Sequence, residues 1–110
     1  MNIMTVAHSM EGIWSWPAED RERTLQKLRS PNILKILTAL KERGEKGLSN
    51  AEVDSLLGAS SQWLVFWDLR ELLALHIVEF DVQFFGEPGR YRLTESGLAV
   101  LEELRGRRQA

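Results

Sequence analysis

The chain of 110 residues contains no cysteine. That excludes a disulfide framework, thiolate metal sites and cysteine nucleophiles, and it leaves the redox compartment open. No stretch approaches the apolar length needed to span a bilayer, and the opening MNIMTVAHSMEG lacks a basic segment followed by a long apolar run. A soluble cytoplasmic protein with no membrane partner is therefore expected. The two histidines, His8 and His76, are far apart, and there is neither a glycine-rich phosphate loop nor an Asp/Glu pair flanked by a recognisable pocket signal. No enzyme, metal site or cofactor is expected from such a set. Internal repeats and low-complexity segments are also missing.

What is present suits one compact domain. A hydrophobic content of 44% over this length supplies a core of its own but not two cores of ordinary size. The formal net charge of -2 gives no general reason to bind nucleic acid or anionic lipid. Its distribution is more telling. Residues 21–47 carry eight basic and three acidic side chains, or +5, whereas residues 48–98 carry three basic and eight acidic, or -5.

Along the chain, residues 1–14 read as an N-terminal arm and residues 15–110 as the domain. Ser15-Trp16-Pro17, followed by Glu19 and Asp20, announces a helix to about Arg29. Ser30-Pro31-Asn32 breaks it and starts a second, whose apolar stripe of Ile33, Leu34, Ile36, Leu37 and Leu40 ends near Gly44. Gly44-Glu45-Lys46-Gly47 is then a loop. Ser49 with Glu52 three residues on forms a capping box for a third helix bearing Val53, Leu56 and Leu57. Ser60 or Ser61 caps a fourth that runs to about Leu75. The period then changes to two: Val78, Phe80, Val82 and Phe84 alternate with Glu79, Asp81 and Gln83, which predicts a strand buried on one face. Gly86-Glu87-Pro88-Gly89 is a hairpin loop and Arg90-Tyr91-Arg92-Leu93 the partner strand. Thr94 caps a last helix carrying Leu98, Leu101 and Leu104. The expected fold class is mainly α with a small β-hairpin.

Three stretches together resemble the winged helix-turn-helix transcription regulators of ArsR-like and MarR-like type. KLRSPNILKILTAL (27–40) is similar to their opening helix, LSNAEVDSLLGASSQWLVFWDLRELLALHIVEF (48–80) to the helix-turn-helix and the start of the wing, and GRYRLTESGLAVLEEL (89–104) to the second wing strand and closing helix. The resemblance implies a winged helix-turn-helix fold, double-stranded DNA as partner, and a homodimer paired through terminal helices. Leu25 and Leu28 of the first helix with Leu98, Leu101 and Leu104 of the last would make that seam. Two features depart from the pattern: the turn Gly58-Ala59-Ser60-Ser61 is one residue longer, and His76 stands where the family often has glycine.

The fourth helix is the candidate reader of the groove. A helix turns by about 100° per residue, so Val65, Leu69 and Leu72 share an inward stripe. Relative to Val65, Trp63 lies at about 160°, Trp67 at about 200°, Ala74 at about 180° and Arg70 at about 140°. The resemblance assigns groove contacts to Ser61, Gln62, Trp63, Trp67 and Arg70, and backbone contacts to Arg90 and Arg92 of the wing. The residue types complicate that assignment. Indole is a poor reader of base edges, and Asp68 and Glu71 repel phosphate. Each outward indole offers on the order of 150–250 Å² for burial, which at about 25 cal/mol per Å² makes it costly to leave in water. Three covers are open: the first segment folding back with Ile13, Trp14 and Trp16; a second copy or another protein; or stacked nucleic acid. Trp14, Trp16, Trp63, Phe66 and Trp67 are accordingly the candidate protein interface.

Other residues have simple explanations beside functional ones. Arg90 and Arg92 either meet phosphate or pair with Glu79, Asp81 or Glu87. The basic run from Arg21 to Lys46 suits solvated helix faces, and Arg105, Arg107 and Arg108 suit a helix C-terminus. His76, at about 20° on the inward side of the fourth helix, is expected to be structural.

Overall fold

The computed structural model describes residues 12–58, 62–82 and 88–107. Among them are five α-helices and one two-stranded antiparallel hairpin: α1 (Ala18–Lys27), α2 (Pro31–Arg43), α3 (Asn50–Leu57), α4 (Gln62–Ala74), β1 (Val78–Asp81), β2 (Arg90–Leu93) and α5 (Glu95–Arg107). Short 3-10 turns occupy Gly12–Ser15 and Gly44–Lys46, the second where a plain loop was expected. No helix among the described residues is long and apolar enough to cross a membrane.

Local chemistry sets most boundaries. Ser30 Oγ accepts from the Ile33 N–H at 3.1 Å, and Pro31, which has no N–H to satisfy, occupies the first turn of α2. At α3 the capping box is complete: Glu52 N–H donates to Ser49 Oγ at 3.2 Å, and Ser49 N–H donates to Glu52 Oε1 at 2.9 Å. Thr94 Oγ1 accepts from Gly97 N–H at 2.9 Å and starts α5. Ser15 does not cap α1. Pro17 is the residue before that helix, with no side-chain cap, and Ser15 Oγ instead donates back to the Gly12 carbonyl at 2.9 Å. The Ser60 and Ser61 caps lie outside the described residues, as do Gln83 and Phe84 of the expected strand and Gly86 and Glu87 of the hairpin loop.

α2 is central, with Ile33, Ile36, Leu37 and Leu40 buried, and it packs against α5, β2 and α3. Leu25 from α1 and Leu28 just after it join Leu101 and Leu104 from α5 in the same core. These leucines, expected to line a seam with a second copy, instead pack in the core of their own chain. There α5 packs on α2 and α1 on the Gly12–Ser15 turn, and only Leu98 of the five remains partly accessible. Residues expected in an arm are also in the core. Ile13 is fully buried, and Trp14 packs against the core with its Nε1–H donating to the Ser96 carbonyl at 3.1 Å.

The hairpin register pairs Val78 with Leu93, Glu79 with Arg92, Phe80 with Tyr91 and Asp81 with Arg90. The strand forms as expected, but its burial does not alternate: of the predicted inward residues only Val78 is buried. Val78 is buried, Phe80 is exposed at the margin against the Tyr91 ring at 4.8 Å between centroids, and Val82, beyond the end of β1, is 67% exposed. Strand periodicity marks a face without saying how far the core extends beneath it. A third segment joins the hairpin, since Leu48 bridges Tyr91 antiparallel.

His76 departs from expectation for a clear reason. α4 stops at Ala74 in a Schellman motif: His76 N–H donates to the Leu73 carbonyl at 3.1 Å and Ile77 N–H to the Leu72 carbonyl at 3.0 Å. His76 takes the left-handed position with φ 62° and is exposed, so helical phase no longer applies to it. Ile77 and Leu72, both fully buried, make the hydrophobic contact that accompanies this stop.

Candidate functional site

The rotation of α4 is set by Leu69 and Leu72, which are buried, and by the stop that seats Ile77 in the core. Trp67 is then carried to the opposite side, where it is 59% exposed, with Arg70, Glu71 and Ala74 exposed along the same face. The Arg70 guanidinium lies over the Trp67 ring at 5.9 Å from its centroid, a cation–π contact across one turn. Asp68 flanks them, partly covered. Burial, and secondarily the negative charge of Glu71, pushes its carboxyl above the usual aspartate value. The face thus offers a broad apolar ring, one guanidinium and two carboxyl groups. Ser61 lies outside the described residues, and the side chains of Gln62, Trp63, Val65 and Phe66 lie outside the described side chains.

The two hairpin arginines are both engaged by carboxylates. Arg92 NH2 stands 3.1 Å from Asp81 Oδ2 and its Nε 3.6 Å from Glu79 Oε1. The second distance makes an ion pair but no hydrogen bond, and the buried Nε has no hydrogen-bond partner among the described residues. Arg90 turns off the hairpin altogether. Its NH1 reaches Glu52 Oε1 at 3.3 Å and the Lys46 carbonyl at 3.5 Å. Glu52 Oε2 also accepts from Arg43 NH2 at 3.1 Å. The Ser49 N–H, helped by Arg43, holds the Glu52 carboxyl below the usual glutamate value despite some loss of hydration. One carboxylate therefore ties the end of α2, the start of α3 and the hairpin together. The capping role of Glu52 is legible from Ser49-Asn50-Ala51-Glu52, but nothing in the spacing announces an arginine 38 residues away.

The tryptophans do not gather into one stripe. Trp14 belongs to its own core, with the Arg21 guanidinium 5.8 Å from its ring centroid. Trp16 is 36% exposed and lines a separate groove with Asp20, Arg23 and Lys27. Trp67 remains 59% exposed. A second groove, of about 580 Å³, runs between α2 and α3 over Leu34, Thr38, Ala39 and Leu56, with Arg29 and Lys35 in its lining. Arg105 donates to Thr38 Oγ1 at 3.3 Å, which anchors the end of α5 against α2.

Comparison of the chain with protein-family models, curated proteins and solved structures yields no match. Function has to be argued from these surfaces alone.

Proposed function

We propose that the chain is a winged helix-turn-helix domain and acts as a DNA-binding transcription regulator. One observation carries the reading: α4 follows α3, packs on β1, and presents Trp67, Arg70 and Ala74 outward, while strand β2 of the adjoining hairpin carries Arg90 and Arg92, each held by a partly exposed carboxylate. That is the disposition in which a second helix enters the major groove while basic side chains of a wing meet the backbone. Arg70 supplies a cation on the groove side, and Ser61, Gln62 and Trp63 extend the same face by sequence. The Leu48 bridge to Tyr91 supports it further, since it fixes the hairpin against the start of the helix pair.

The test is duplex binding titrated with salt. Affinity for a mixed-sequence duplex falls linearly in log–log form as phosphates are neutralised, and Arg70→Ala or Arg90→Ala flattens the slope by roughly one phosphate each. Salt-independent binding, or none, removes the reading.

A second reading has its own observation. Trp67 is largely exposed between two carboxyl groups, which suits a protein surface better than a polyanion. In this reading the α4 face docks a second copy of the chain or another protein. Sedimentation equilibrium then shows self-association that Trp67→Ala abolishes, with duplex binding negligible throughout.

A further inference from the structure

We propose that Glu52, Glu79 and Asp81 are built-in competitors for phosphate, holding Arg90 and Arg92 in the unbound protein so that duplex binding proceeds by exchange of carboxylate for phosphate. The inference rests on the regulator reading and names the residues that set its strength. Three facts carry it. The hairpin register places Glu79 opposite Arg92 and Asp81 opposite Arg90, so every outward cation of the paired strands faces an acid. The contacts are made: Arg92 to Asp81 at 3.1 Å, Arg92 to Glu79 at 3.6 Å and Arg90 to Glu52 at 3.3 Å. Counting Arg43, three guanidinium groups meet three carboxylates among the described residues.

The pairs are also breakable. All the partners are partly exposed, with the Arg90 and Arg92 side chains 34% and 32% accessible, and ion pairs of that kind are individually weak and screened by salt. Moving out to a phosphate gives Arg92 a bidentate partner and a hydrogen-bond acceptor for its Nε, which has none among the described residues. The geometry is therefore that of a held cation rather than a locked one. Its consequence is a low basal affinity for any duplex, so that correct groove contacts by α4 decide where the protein stays.

The experiment is fluorescence anisotropy with a labelled mixed-sequence duplex over a range of salt, using the full chain. Glu79→Gln with Asp81→Asn is expected to raise affinity roughly tenfold at low salt and to steepen the log–log salt slope by about one phosphate. Arg92→Ala in that background erases the gain. Glu52→Gln, which retains an acceptor for the Ser49 N–H, produces a similar gain through Arg90. A control of equal charge change at residues outside these ion pairs, Glu19→Gln on α1 with Glu102→Gln on α5, raises affinity less than about twofold with no change of slope. A gain no larger than the control, an unchanged slope, or a gain that survives Arg92→Ala overturns the inference while wild-type binding leaves the regulator reading standing. Absence of duplex binding by wild type and every variant overturns both. Thermal melts of each variant establish that it folds.

Discussion

The backbone of Leu48 is bridged to that of Tyr91 in both directions: Leu48 N–H donates to the Tyr91 carbonyl at 3.0 Å, and Tyr91 N–H donates to the Leu48 carbonyl at 2.7 Å. The Tyr91 hydroxyl adds a bond to Asn50 Oδ1 at 3.0 Å, so one residue of β2 secures the start of α3. Tyr91→Phe removes that bond and is expected to cost about 1 kcal/mol, read from the urea midpoint. Burial, with the nearby Asp54 charge, raises the phenol above its usual value of 10.0. A phenol that deprotonates less readily folded than unfolded contributes stability that is lost as pH rises past that value. Wild type should therefore weaken in the alkaline range more steeply than Tyr91→Phe.

His76→Gly is expected to stabilise the protein. The residue is exposed and holds φ 62°, a conformation that carries a penalty for any side chain with a Cβ, and glycine is the usual occupant of this Schellman position. A gain of roughly 0.5–1 kcal/mol in denaturant unfolding is the expected size. A loss would show that the imidazole makes an important contact.

Gly97→Ala tests the opposite case. A Cβ there would run into the Ile77 carbonyl oxygen and crowd Leu93, so the first turn of α5 could not remain against the start of β1. Destabilisation of about 2 kcal/mol or more is expected, in line with overpacking against rigid backbone.

The rotation of α4 is checked by a pair of substitutions. Trp67→Ala should alter stability by less than about 0.5 kcal/mol because the ring is mostly in water. Leu72→Ala, at a fully buried site, should cost about 2–5 kcal/mol. Comparable losses at both positions would mean that the indole is covered.

Acid unfolding provides a test of the Glu52 node. The carboxyl is held below its usual value of 4.5 chiefly by the Ser49 N–H. A depressed carboxylate contributes stability that is present above the unfolded value and lost as pH falls through the folded one. Glu52→Gln should therefore flatten the acid limb of the stability profile while leaving the capping geometry in place.

The helices were legible because their signals are local. Ser30-Pro31, the Ser49–Glu52 box and Thr94 each act within one turn, and the structure places boundaries where those residues stand. The alternation from Val78 likewise marked a strand. The inward side of α4 could be read from Leu69 and Leu72 because a helix has a fixed angular step. Reading failed where two distant segments meet. Ser15 looked like a cap but bonds back to Gly12, and Ile13 looked like part of an arm but fills a gap in the core. Leucines 25, 28, 101 and 104 looked available for a second copy but are buried in the core of their own chain. The candidate site divides in the same way: Trp67 was legible from its phase, whereas the partners of Arg90 were not.

Residue order alone therefore determined the element sequence and the face of each helix that must be hidden, since caps, breakers and periodicity act over a few residues. Which hidden faces met within one chain, and which carboxylate each hairpin arginine met, was decided only by tertiary packing. A guanidinium pairs with whatever carboxylate the fold brings within reach, and Glu52 comes within 3.3 Å of Arg90 only after α3 and the hairpin have docked.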